Sequence, residues 1–189
     1  MSYASNAGTF LIDTLGGLVL LIFMLRLLMQ MVRADFHNPV SQFVVKVTNP
    51  VLRPLRRVIP GVAGIDMASV LVLIVFQYLI LYLVITMNGA SFFPLGMLVI
   101  AIAKLIGLII SIFTFSILIQ VVLSWVNPGV YNPVTSILYS LNEPILGRAR
   151  RILPPIHGFD LSPIIAMVVL QLISMLVVAP ITDFGISLQ

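Results

Sequence analysis

Four polar residues stand in otherwise apolar stretches of the chain: Arg26, Gln77, Gln120 and Gln171. A guanidinium carries five donors and no acceptor, whereas a side-chain amide offers a carbonyl oxygen that accepts. An arginine inside a bilayer must find such partners or water, and by default marks a functional site. Counted from the cytoplasmic ends of their spans at 1.5 Å per residue, the four fall roughly 9–17 Å deep. They are candidates for a polar cluster near an axis between helices, serving as a pathway or an ion site. The plainer reading is that they hold helices together, with Arg26 reaching inward to water.

A second set is arginine-rich. Arg53, Arg56 and Arg57 form one group, and Arg148, Arg150 and Arg151 another. Guanidinium groups suit phosphate and carboxylate oxygens, so these residues are candidates for binding anionic lipid headgroups or an acidic segment of a partner. Their plainer role is to mark the side of the membrane on which the loops stay. Arg56-Arg57 and Arg150-Arg151 stand just before Asp66 and Asp160, which predicts an arginine–aspartate contact in each half. Chemistry of other kinds finds little support. His37 and His157 do not correspond to each other, Glu143 is the sole glutamate, and there is no cysteine. No metal-ligand spacing, nucleophile–base pattern or phosphate loop occurs. We expect no enzyme, no metal and no cofactor.

The elements that would position these residues are written twice. Asn38–Gln77 reappears as Asn132–Gln171 at a constant offset of 94 residues without a gap. Identical pairs include Asn38/Asn132, Pro39/Pro133, Pro50/Pro144, Arg56/Arg150, Arg57/Arg151, Gly64/Gly158, Asp66/Asp160 and Gln77/Gln171. Matches in proline, glycine, arginine and aspartate are informative, because apolar residues match by composition in any membrane protein. The chain is one unit used twice, with residues 1–94 as the first repeat and 95–189 as the second.

Spans are expected over about residues 9–32, 67–86, 98–126 and 161–179, each long enough for a hydrocarbon core of about 30 Å. Between the spans of each repeat lies an interfacial segment, 38–60 and 132–154. Asn38-Pro39 and Asn132-Pro133 read as helix starts, with asparagine as N-cap and proline in the first turn. Val40, Val44, Val47, Val51, Leu55 and Val58 recur at three- or four-residue spacing, opposite Gln42, Lys46, Asn49, Arg53 and Arg57. Val134, Leu138, Leu141, Ile145, Ala149 and Ile152 repeat the stripe. Basic amphipathic helices of this kind lie in the headgroup plane. Pro50 and Pro54 predict two short helices or a kinked one. Asp66 and Asp160 are expected to cap the following spans. Gly16-Gly17 permits a close helix contact in the first span, and Phe92 and Phe93 sit near an interface.

Composition confines all this to a membrane. Of the 189 residues, 60% are hydrophobic and 8% charged, with a mean hydropathy of +1.18. Soluble domains carry about 25% charged residues. Eight of the ten basic residues fall in Arg33–Pro60 and Asn132–Pro154. That placement is a topology signal, not a nucleic-acid surface: basic loops cytoplasmic, both termini on the other side. Met1–Leu25 has no basic residue, so a cleaved signal peptide is not expected. With two spans each, the repeats enter from the same side and are related by an axis along the membrane normal.

The pattern N-P-V…P-x-L…R-R-x-[IL]-P…G-x-D…Q between two spans resembles the YggT family of small bacterial membrane proteins, whose relatives include plastid proteins of the YlmG type. The second copy departs from the first at Gly147-Arg148 and Pro155-Ile156-His157. The resemblance implies a bacterial inner-membrane protein without a settled activity, linked to osmotic-stress tolerance and ion homeostasis, to cell-division gene neighbourhoods, or, in plastids, to haem assembly. The expected fold is all-α: four transmembrane helices as two parallel repeats, each with an interfacial amphipathic helix. The first functional expectation is a membrane scaffold or assembly factor meeting lipid and protein partners, because the spans show few midplane ionisable groups. The alternative is a channel or transport-associated protein, as a homo-oligomer.

Overall fold

A computed structural model describes residues 3–89, 91, 93–126, 129, 132–154 and 160–188. Among these, the chain is helical throughout, apart from turns and one isolated bridge between Val62 and Ile65. The first span, α1, runs Tyr3–Met31, and α2, Pro39–Leu55, follows it. The second span, α3, is Met67–Met87, and the third, α4, is Pro94–Val126. Next comes α5, Pro133–Ile152. The fourth span begins as α6, Ser162–Ile173, passes through a π-helical stretch, Ser174–Val178, and continues as α7, Ala179–Ser187. Four helices are thus long and apolar enough to cross a bilayer.

The first and fourth spans extend further than their apolar runs suggest. Pro180 is expected to end the last span, yet the helix runs on to Ser187. The π stretch explains this. Ala179 N–H bonds to the Ser174 carbonyl, one residue further back than in an α-helix. The widened turn accepts the proline ring and its missing donor at the start of α7.

The segment containing Pro50 and Pro54 is one helix, not two. Its buried side is Ser41, Val44, Thr48 and Leu52, which corrects the expected apolar stripe. Phe43, Val47, Val51 and Val58 are exposed instead. At 100° per residue, α2 has three sectors. One, with two hydroxyls, packs on the protein. A second, Gln42, Lys46, Asn49, Arg53 and Arg57, is polar. The third is apolar and open. A simple apolar-versus-polar division merges the first and third.

Asn38 caps α2, its side chain accepting from Val40 N–H at 2.9 Å. Asn132 caps α5 through a reciprocal pair with Thr135, both bonds 2.9 Å. The spans pack in the order α1, α3, α4, α6–α7, and α1 also touches α4. The largest core cluster joins Leu20, Met24 and Leu27 of α1 to Val72, Leu73 and Ile80 of α3, and to Leu105 and Ile112 of α4. Gly16 lies where an added Cβ would stand 2.6 Å from Ile80 Cδ1, so α1 and α3 approach too closely there for a larger residue. The junction between repeats is head-to-tail. The α4 surface lies on α3, whereas α1, the counterpart of α4, makes no contact with α6, the counterpart of α3. An isologous two-fold junction would show both contacts.

Candidate functional site

The four intramembrane polar residues divide into two kinds of environment and do not form one hydrogen-bonded cluster. Arg26 and Gln120, at equivalent positions of α1 and α4, are both buried and both reach the helix that follows, α2 and α5. Arg26 Nη1 donates to Thr48 Oγ1 at 2.5 Å and to the Val45 carbonyl at 3.1 Å. The Thr48 hydroxyl in turn donates to the Val44 carbonyl at 2.7 Å. In the second repeat, Asn142 Nδ2 donates to Gln120 Oε1 at 2.8 Å, and Ser116 Oγ donates to Asn142 Oδ1 at 2.6 Å. Thr48 and Asn142 are themselves 94 residues apart. Each repeat therefore fastens its first span to the helix that follows it at the same place, once with a charge and once with amides.

Gln77 and Gln171 instead line a cavity of about 620 Å³ between the four spans. Asp13, Lys104, Ser111, Thr114 and Ser174 line it as well. Five pairs of repeat-equivalent positions face this space: Asp13/Gly107, Gly17/Ser111, Leu20/Thr114, Gln77/Gln171 and Ile80/Ser174. The cavity therefore lies on the axis that relates the repeats. The π stretch borders it through Ser174 and Val178. Gly17 opens onto empty space, with nothing within 4 Å of an added Cβ. Sequence reasoning missed Asp13 and Lys104 as lining residues, because each stands at an end where a charge reads as an interface anchor. It also missed Thr48 and Asn142, whose signal was a polar residue at equivalent positions of both helices.

At the other end of the spans, each repeat joins an arginine to an aspartate. Arg56 binds Asp66 Oδ2 through Nη2 at 2.5 Å and Nε at 3.1 Å. Arg150 Nε binds Asp160 Oδ2 at 2.9 Å, and its Nη1 meets Glu143 Oε2 at 3.0 Å. The first arginine of each pair thus makes the contact expected from the sequence. Burial works to raise the pKa of Asp66, but the bonds from Arg56 and Ser69 and the charge of Arg56 outweigh it and hold the carboxyl below its ordinary value. Asp160 is likewise lowered: burial opposes, while bonds from Ser162 and Arg150 prevail. Burial works to lower the Arg150 pKa, yet its two carboxylate partners raise it. Asp160 accepts from Ser162 N–H at 2.9 Å and so caps the last span. Asp66 makes no such backbone bond. Its carboxylate is taken by Arg56 and the Ser69 hydroxyl, which corrects the expected cap. Ser69 corresponds to Pro163, so only the first repeat has that hydroxyl.

Beside these pairs run two shallow basic grooves. One is lined by Lys46, Asn49, Pro50, Arg53, Pro54 and Arg57. The other includes Ser140, Glu143, Pro144, Gly147, Arg148 and Arg151, the same six positions of the second repeat. Arg53, Arg57, Arg148 and Arg151 are exposed there. His37 contacts Asp35 at 3.2 Å and is exposed. His157 and Phe92 lie outside the described residues. Among the described residues, no group of three or more histidines, cysteines or acids is placed to hold a metal ion.

Four apolar helices long enough to span a bilayer among the described residues, and a unit used twice, describe a multi-pass membrane protein built from two repeats. The chain belongs to the CCB3/YggT family, whose model matches residues 5–87 and again 99–181. It is 44% identical over 176 residues to an uncharacterised protein of Pseudomonas aeruginosa, covering 92% of this chain and 89% of that one. It is 40% identical over 174 residues to the uncharacterised protein YggT of Escherichia coli K12, covering 90% and 88%. The chloroplast protein CCB3 of Arabidopsis thaliana, named for cofactor assembly of complex C, is 29% identical over 77 residues, 40% of this chain and 44% of that protein. No solved structure matches.

Proposed function

We propose that the protein admits a small ion or polar solute into the bilayer through the cavity between its spans, and so serves ion and osmotic homeostasis. One observation carries this: five repeat-equivalent pairs line a single intramembrane space furnished with two amides, three hydroxyls, a carboxylate and an ammonium. Helix association alone does not need an open polar space, since glue residues bond directly across a contact. Lining groups of both signs, and neutral donors and acceptors between them, suit a partly hydrated ion. In this reading the arginine-rich ends face the cytoplasm, both termini face the opposite side, the membrane is the bacterial inner membrane, and the protein catalyses no reaction.

A second reading, a scaffold or assembly factor, is favoured by the two basic grooves, whose four exposed arginines offer anionic headgroups or an acidic partner segment a duplicated surface. The name of the plastid relative, a cofactor-assembly protein, points the same way. Purified protein in liposomes separates the two. Potassium or sodium flux above that of empty vesicles, reduced by Gln77→Leu, is expected. Absent flux with intact protein, together with retention on vesicles that depends on Arg53 and Arg148, would move the assignment to the scaffold.

A further inference from the structure

We infer that two copies of this chain join end to end into a closed dimer, each end reproducing the junction already present between the two repeats. Within the chain, one stripe of α4 (Met97, Ala101, Leu105, Leu108, Ile112) is covered by the first repeat, with Tyr78, Leu81 and Ile85 of α3 packed on its outer part. The repeat places the same two surfaces at the ends of the molecule, where nothing in the chain covers them. Leu81 is 7% exposed, but its counterpart Met175 is 58% exposed. Leu105 is 8% exposed, but its counterpart Leu11 is 55% exposed. The counterparts of Tyr78 and Ile112, Leu172 and Leu18, are exposed in the same way.

Helices α2 and α5 agree. On α5, Ile137 is 7% exposed and packs against Met29, Ala34 and Val44 of the first repeat. Its counterpart on α2, Phe43, is 60% exposed. The junction also contains a bond from Asn38 Nδ2 to the Pro133 carbonyl at 2.7 Å. The apolar surfaces of the junction are therefore present twice, once joined and once divided between the ends of the unit.

Lipid tails would cover an apolar stripe equally well. Two features favour a second copy instead. Gln171 is exposed within a span, whereas Gln77, its equivalent, is buried. Gln171 lines the polar cleft, so its exposure marks the side on which that cleft is left open. In addition, the cavity on the repeat axis is walled by four spans in an arc from α1 to α6, and α1 and α6 do not meet. A head-to-tail junction closes a ring when its rotation divides a full turn, and the ring inferred is the four-repeat one. Two chains supply four repeats and two further junctions, and they complete the cavity wall. The inference holds whether or not anything passes through the cavity, so its test and the flux assay fail separately.

The absence of cysteine makes the test direct. Leu81 and Ala101 share a core cluster across the internal junction, and their counterparts are Met175 and Ala7. The full-length double variant Ala7→Cys with Met175→Cys, oxidised in native membranes, is expected to shift from the monomer band to a dimer band and no larger. Neither single variant should form it. The internal pair Leu81→Cys with Ala101→Cys should become resistant to thiol labelling on oxidation without changing mass, which shows that the geometry tolerates such bridges. Monomer alone from the end-face pair, with the internal pair bridged and both variants at normal membrane levels, would overturn the inference and leave lipid as the occupant. Dimers from either single variant, or a ladder beyond the dimer, would overturn it too.

Discussion

Arg26 is held by a carbonyl and a hydroxyl, both uncharged, and is buried at the foot of the first span. Hydrogen bonds to a charged group contribute about 1.5–3 kcal/mol, and leaving such a group short of a partner costs more than the bond itself. Thr48→Val, similar in volume, should therefore destabilise the protein by about 2–3 kcal/mol, measured as the loss of soluble protein on heating in detergent. The second repeat indicates the remedy, because Gln120 and Asn142 solve the same junction without charge. Arg26→Gln alone should lower the melting midpoint. Arg26→Gln with Thr48→Asn should recover most of that loss, and equal losses in the single and double variants would contradict the equivalence. Arg26 was visible in the sequence as an intramembrane cation. Its partner was not, because a threonine on α2 resembles any other polar residue until the two helices are brought together.

The helices differ from their sequence signals where tertiary packing sets the boundary. The apolar runs located all four spans, but Pro180 concealed the continuation into α7, since a π-helical turn has no composition of its own. Helix α2 was legible in its cap and its period, whereas its buried face was misjudged because Ser41 and Thr48 pack inward. The start of each second span is held by the arginine–aspartate pair. The pKa of Asp66 and of Asp160 is lowered in the folded chain. A carboxylate whose folded pKa lies below its unfolded value of about 3.9 contributes stability above that value and loses it as pH falls through the folded pKa. Thermal stability in detergent should hold down to the ordinary carboxylate range and fall below it. Asp66→Asn should flatten that fall while lowering stability at neutral pH. Gly16 and Gly17 separate in the same scan. Gly16→Ala meets Ile80 and should cost about 1–2 kcal/mol, while Gly17→Ala enters empty space and should be close to neutral.

For the molecule as a whole, the duplication was readable from prolines, glycines and charges at one offset, and it accounts for the paired helices α2 and α5 and the paired grooves. What it did not disclose is the hand of the junction. A repeat with two spans is compatible with an isologous pair or a head-to-tail one, and only the packing of α4 on α3 without α1 on α6 decides it. That choice puts the glutamines at a cavity and not in a shared hydrogen-bonded knot. It also makes the cavity the feature on which an ion pathway depends. Gly17 and Ser111 are equivalent positions facing the same space, and neither supports a neighbouring helix through a packed side chain at the cavity surface. Large residues there should obstruct the space without disturbing the core. Gly17→Phe and Ser111→Phe are each expected to reach the membrane at the level of the parent protein and to abolish cation flux in liposomes. Gly17→Ala, smaller by most of a ring, should retain it. If both phenylalanine variants keep full flux, the ions pass elsewhere and the polar lining has a different use.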